Sequence, residues 1–298
     1  MTSTGSTEDG ARIAGPFAVR PSGADVVVLG VAVLGVSASG PLIASMAVPA
    51  LAIALWRNVL GTAALAPLAL VGHHRELRSV SRRNLWLTAM AGVALAAHFA
   101  TWIPAVTLTS VASATALGAT QPAWNAVIAR MTGHAVPRRA WLGIALAIGG
   151  VLLLTGVDVS VSRDALVGDL LALAGGAFVA VYVALGGTVR RTMSTTTYAA
   201  LCYGFCSLVL LVVCLVAGVA LRGYSAEDWW KLVALTVLAQ LVGHTLLNKA
   251  VGSVGPMVVS LAILFEVPGA ALIAALWLGQ EPAAAAATPS FFWRSRSI

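Results

Sequence analysis

The chain has 298 residues, 59% of them hydrophobic and only 10% charged, with a mean hydropathy of +0.91. That balance excludes an ordinary soluble domain, in which about a quarter of the residues carry charge. The net charge of +7 does not mark a nucleic-acid binder, because the arginines lie in short loops between apolar runs and form no continuous basic face.

Residues 1–24 carry Gly, Ser and Thr without periodicity and are expected to form a disordered cytoplasmic tail. Apolar runs follow at about 25–47, 50–71, 85–107, 110–130, 139–156, 167–189, 197–219, 229–250 and 255–279. Most approach the ~20 residues that carry a helix across ~30 Å of hydrocarbon. Backbone groups in lipid must bond within their own segment, so the pattern predicts an all-α membrane protein, a polytopic bundle of about nine transmembrane helices. The first run is followed by many others and reads as an uncleaved span, not a signal peptide. Cys202, Cys206 and Cys214 share span seven, and the i,i+4 spacing of the first two favours buried thiols over a metal site or disulfide.

Loop charge gives an orientation. Arg75, Arg78, Arg82 and Arg83 follow span two, Arg130, Arg138 and Arg139 follow span four, and Arg190 and Arg191 follow span six. With Arg12, Arg20 and Lys249 they make twelve cations on one side, against Arg163, Arg222 and Lys231 on the other. The positive side is the inner one, so the N-terminus is expected in the cytoplasm and the protein in the cell (inner) membrane.

The stretch from His98 to Gly133 returns 146 positions later as His244 to Gly279, with His98, Ala116, Pro122, Ala129 and Gly133 matched in kind. The histidine and proline matches matter most, since both are rare inside apolar runs. With five spans in the first half, the second copy is expected upside down. Inverted repeats place a binding site between the halves near mid-membrane and let it open to each side in turn.

The polar residues inside the spans are the candidates for that site. Arg57 lies in span two, where a charge is usually paired, snorkelling or functional. His98 and Trp102 share a face of span three, as His244 and Asn248 do of span eight. The two histidines either bond across helix contacts or face one cavity as proton-carrying groups. Glu266 is read as the one carboxylate deep in a span and the candidate for proton coupling, with Gln121 one residue from its repeat counterpart. Pro122 and Pro268 each remove a helix hydrogen bond, so a kink is expected at both.

Two segments, "HFATWIPAVTLTSVASATALGATQP" and "GHTLLNKAVGSVGPMVVSLAILFEVPGAALIAALWLGQEP", resemble the EamA-type branch of the drug/metabolite transporter superfamily, ten-helix bacterial inner-membrane exporters. The resemblance covers about residues 25–283 and implies a five-helix repeat over 25–156 and a second over 167–283. It also implies a central cavity lined by spans three, four, eight and nine, and export by a secondary mechanism. Three positions depart from the family pattern: Glu266-Val267-Pro268 replaces an adjacent Glu-Pro, Gln280 replaces the usual glutamate, and Lys249 stands where an apolar residue is commoner.

The reading is therefore a secondary transporter exporting small organic metabolites or drugs, with a small-molecule substrate and protons as a candidate coupling ion. No cofactor, metal, catalytic group or nucleic-acid partner is expected, and the oligomeric state is left open. No G-x-x-x-x-G-K-[ST] loop is present, which argues against ATP as the energy source. The alternative is a membrane-embedded enzyme, against which no Ser-His, paired-Asp or H-E-x-x-H arrangement stands out. The segment 284–298 contains Pro289 and lacks a helix-length apolar run, so a tenth span is expected to be missing through truncation or a frame change near residue 282.

Overall fold

The computed structural model describes residues 21–155 and 162–280, so the tail over 1–20 and the readings on 281–298 lie outside the described residues. Within them the chain is helical throughout and contains no strand. Six helical stretches are long and apolar enough to cross a membrane: Gly23–Ala44, Ala50–Gly72, Arg82–Leu108, Arg163–Val189, Thr195–Val216 and Ala226–Ile263.

The helices run as α1 (Gly23–Ser37), α2 (Ser39–Ala44), α3 (Ala50–Gly72), α4 (His74–Ser79) and α5 (Arg82–Leu108). They continue as α6 (Val111–Gly118), α7 (Gln121–Met131), α8 (Arg138–Thr155), α9 (Arg163–Val189) and α10 (Thr195–Val216). The last are α11 (Ala226–Leu235), a π-helical segment over Thr236–His244, α12 (Thr245–Ile263) and α13 (Glu266–Leu278). Starts are set by local chemistry. Ser22, Ser81, Ser110, Ser162, Ser194 and Ser225 each accept a hydrogen bond from the backbone N–H three residues on, satisfying one donor left open at a helix start.

Three expected spans are broken rather than continuous. Span one divides at Ala38, span four at Ala119–Thr120, and span nine at Leu264–Phe265. The expectation of kinks at Pro122 and Pro268 needs correcting in form. Both prolines lie in the first turn of a new half-helix, Pro122 second in α7 and Pro268 third in α13, where a missing N–H costs little. The interruption sits just before each proline. α12 is itself two pieces, because Gly255 has φ 82°, a left-handed value open chiefly to glycine, and Pro256 follows it.

Packing exchanges elements between the two halves of the chain. α1 lies against the π segment and α12, while α9 lies along α5. The first crossing is close because it is built on glycine. A methyl group on Gly35 would come within 2.5 Å of the Leu238 carbonyl oxygen, and one on Gly243 within 2.5 Å of Val36 Cγ1. Small residues at such crossings let helix backbones approach in lipid, where there is no hydrophobic force between helices.

The loops of one end are tied together by polar contacts. Glu76 of α4 accepts from the Ser194 N–H (2.6 Å) and from the Thr197 hydroxyl (2.5 Å), and Asn84 donates to Thr192 (3.0 Å). At that end Ser253 also donates to Asp25 (2.7 Å). At the opposite end Asp228 accepts from the Ala47 N–H (3.2 Å) and Lys231 donates to the Ser45 carbonyl (2.8 Å), clamping the turn between spans one and two. The arginine-rich loops thus gather at one end of the bundle.

Candidate functional site

The broken spans meet at the centre. A cavity of about 50 Å³ lies there, lined by Ser39, Arg57, His98, Phe99, Trp102, Gln121, His244 and Glu266 among others. Six of the seven sequence candidates, Arg57, His98, Trp102, Gln121, His244 and Glu266, are brought to this one space. Asn248 is not on its wall. It lines a separate cavity of about 10 Å³, where it accepts from the Tyr182 hydroxyl (2.6 Å).

Gln121 is the first residue of α7 and Glu266 the first of α13. Each therefore begins a half-helix directly after a tight turn, at the end of a helix where partial positive charge collects.

Arg57 is fully buried, so snorkelling is ruled out for this chain. Its Nε donates to Gln240 Oε1 (2.9 Å), its Nη1 to Ser39 Oγ (3.4 Å), and its guanidinium carbon lies 4.2 Å from the centre of the Phe99 ring. Gln240 in turn donates to Asn58 Oδ1 (3.0 Å), and Asn58 donates to the Ala54 carbonyl (2.8 Å). Arg57 Nη2 is buried without a hydrogen-bond partner among the described residues. An unmet donor of this kind costs about 1–3 kcal/mol, more for a charged group, which an acceptor arriving in the cavity would recover.

His98 Nδ1 lies 2.9 Å from the Gly175 carbonyl oxygen of α9, which makes that nitrogen the donor. The ring stacks on Trp102, with centroids 6.0 Å apart. His244 ends the π segment and packs edge-on to Phe99 (5.5 Å) and Tyr182 (6.4 Å). Phe99 therefore stands against both histidines and carries the Arg57 cation. In the π segment the Gln240 carbonyl accepts both the backbone N–H and the hydroxyl (3.1 Å) of Thr245, five residues on; π turns are rare and concentrate at functional sites.

Several members of this constellation were not among the sequence candidates: Ser39, Asn58, Gln240, Tyr182, Asn125 and Ser260. Each is a polar residue inside an apolar run, which was the available signal. A second carboxylate, Asp169, lies nearer the end of its span. α9 begins at Arg163, so Asp169 sits within its second turn, with Oδ1 buried and without a hydrogen-bond partner among the described residues.

The fold and this cavity define a multi-pass helical membrane protein with a polar centre. The profile of the EamA-like transporter family matches residues 22–156 and 166–287, so the chain belongs to that family of membrane transporters. One solved crystal structure shares the fold, with TM-score 0.63 at 17% identity, covering 87% of this chain and 90% of the other. No curated protein sequence matches the chain.

Proposed function

We propose that the protein is a gradient-driven secondary transporter exporting a small organic metabolite or drug across the cell inner membrane, with its N-terminus in the cytoplasm. The observation that carries this reading is the convergence of Gln121, Glu266, Arg57 and the two histidines on one central cavity. In this reading residues 25–156 and 167–283 are inverted repeats that rock about that cavity. The breaks before Gln121 and Glu266, and the exchange of α1 and α9 between the halves, support the inversion.

The residues divide the work by chemistry. The open Nη2 of Arg57 and the amide of Gln121 offer hydrogen bonds to a polar substrate group, and Trp102 and Phe99 offer apolar faces. Glu266 lines the cavity from the head of α13 and is the proton-coupling group of the proposal. His98 and His244 shape the wall with their rings. A ligand pocket for a metabolite needs ~300 Å³ or more, so a 50 Å³ cavity belongs to a contracted state that must open to load.

Reconstituted proteoliposomes with an imposed pH gradient test the proposal over a panel of amino acids, nucleosides and amphipathic amines. Accumulation of at least one compound that collapses with the gradient is expected. A well-folded, reconstituted protein that moves no compound under any imposed gradient would overturn it.

A further inference from the structure

Beyond the central cavity there is a larger one. A chamber of about 500 Å³ opens at the arginine-rich end, lined by Asn125, Thr132, Thr188, Arg191, Ser253 and Met257 among others. Between it and the centre lies the 10 Å³ cavity, which shares Val179, His244, Leu247 and Ile263 with the central wall and Val251 with the chamber. The three spaces therefore form a row, pinched in the middle.

The pinch is lined mostly by apolar side chains, Val183, Val251 and Val259 among them, and two sets of hydrogen bonds tie it together. Asn125 of α7 donates to Ser260 Oγ, and Gln121, one turn earlier on the same helix, donates to the same oxygen (3.3 Å). Gln121 lines the central cavity and Asn125 the chamber, so this clasp stands on the boundary. The second clasp is Tyr182 on Asn248 (2.6 Å), with Asn248 Nδ2 directed to the Tyr203 hydroxyl (3.5 Å).

Ser260 sits on an unusual piece of chain. The helical stretch 256–263 is bounded by the left-handed Gly255 on one side and the turn at Leu264–Phe265 on the other. It is a two-turn segment with non-helical backbone at one end, Gly255, and a tight turn of right-handed helical angles at the other, so Gly255 is the point about which it can pivot. Its inward face is fastened by hydrogen bonds, each worth only ~1 kcal/mol net once water can take over the released partners.

Taking the transport reading above as its basis, we infer that the 500 Å³ chamber is the loading site for substrate, and that Ser260, held by Asn125 and Gln121, together with the Tyr182–Asn248 pair, forms the gate between it and the central cavity. Arg191, His134 and the Thr132 and Thr188 hydroxyls give the chamber a hydrated wall suited to a polar metabolite before it is desolvated at the centre.

The test reads access, not transport. With Cys202, Cys206 and Cys214 replaced by alanine, single reporters Ala119→Cys in the central cavity and Thr188→Cys in the chamber are labelled in detergent with a small hydrophilic methanethiosulfonate. The chamber reporter should react fast and the central one slowly. Adding Ser260→Ala or Tyr182→Phe should raise the rate at 119 by about fivefold, the effect of losing roughly one net hydrogen bond, and leave the rate at 188 unchanged. Tyr182→Phe removes a single oxygen and keeps the test valid if Ser260→Ala disturbs folding. Equal rates at the two reporters in the parent, or no change at 119 in folded Ser260→Ala and Tyr182→Phe, would overturn the gate. A failed flux assay would leave these rates untouched, so the gate and the transport reading fail separately.

Discussion

Arg57 of α3 and Gln240 of the π segment are joined by a 2.9 Å hydrogen bond from the guanidinium Nε to the side-chain oxygen, at the centre of the bundle where neither is exposed. The bond links span two to span eight and fixes the cation beside the cavity. Replacing Gln240 with leucine leaves Arg57 Nε and Asn58 Oδ1 without this partner. The expected loss is about 1–3 kcal/mol per unmet group, read as a drop of several degrees in the melting midpoint of the purified protein. An unchanged midpoint would mean that the pair contributes nothing to the fold.

The crossing of α1 with the π segment makes a second stability prediction. Gly243→Val places atoms where Val36 and the Leu238 carbonyl already stand. Overpacking of this kind costs about 1–3 kcal/mol. Thermal unfolding should show the loss, whereas Gly149→Ala, inside α8 with nothing within 4 Å of the added carbon, should melt at or slightly above the parent.

Glu76 supplies a pH dependence outside the membrane. Partial burial raises its carboxyl pKa, but hydrogen bonds from Ser194 and Thr197 and the neighbouring His73 outweigh this and leave it below the ordinary value. A folded-state pKa that is depressed gives stability present above the unfolded value of ~4.3 and lost as pH falls through the folded one. Glu76→Gln should therefore melt below the parent at pH 7, and the gap should narrow as the pH falls through 4. A constant gap from pH 7 to pH 3 would contradict the assignment.

Much of this architecture was legible in the sequence because hydropathy and loop charge act on long stretches. The spans ending at Gly72, Leu108 and Val189 were marked by apolar length, and the repeat picked out His98 and His244 from their background. The helix breaks were less legible. Proline marked their neighbourhood at Pro122 and Pro268, but a proline fits the first turn of a helix as well as it kinks an interior, and only tertiary contacts decide between the two. The partners of Arg57 were hidden for a related reason. Gln240, Ser39 and Asn58 are ordinary small polar residues whose roles depend on which helix faces which, and the π segment that turns Gln240 inward leaves no mark in the hydropathy.

Orientation is open to a direct check. Val80, between α4 and α5, lies in the arginine-rich loop set and is expected inside the cell. A Val80→Cys reporter in the cysteine-free protein should resist an impermeant thiol reagent added to intact cells and react once they are opened. Full labelling in intact cells would reverse the assigned topology.

Glu266→Gln keeps the size and hydrogen-bonding capacity of the side chain at the head of α13 and removes its titration. In proteoliposomes loaded with a transported compound, the parent should drive it uphill under a pH gradient, while the variant should exchange it downhill and fail to concentrate it. Concentration against the gradient by Glu266→Gln at the parent's level would contradict the proton-coupling role on which the account rests.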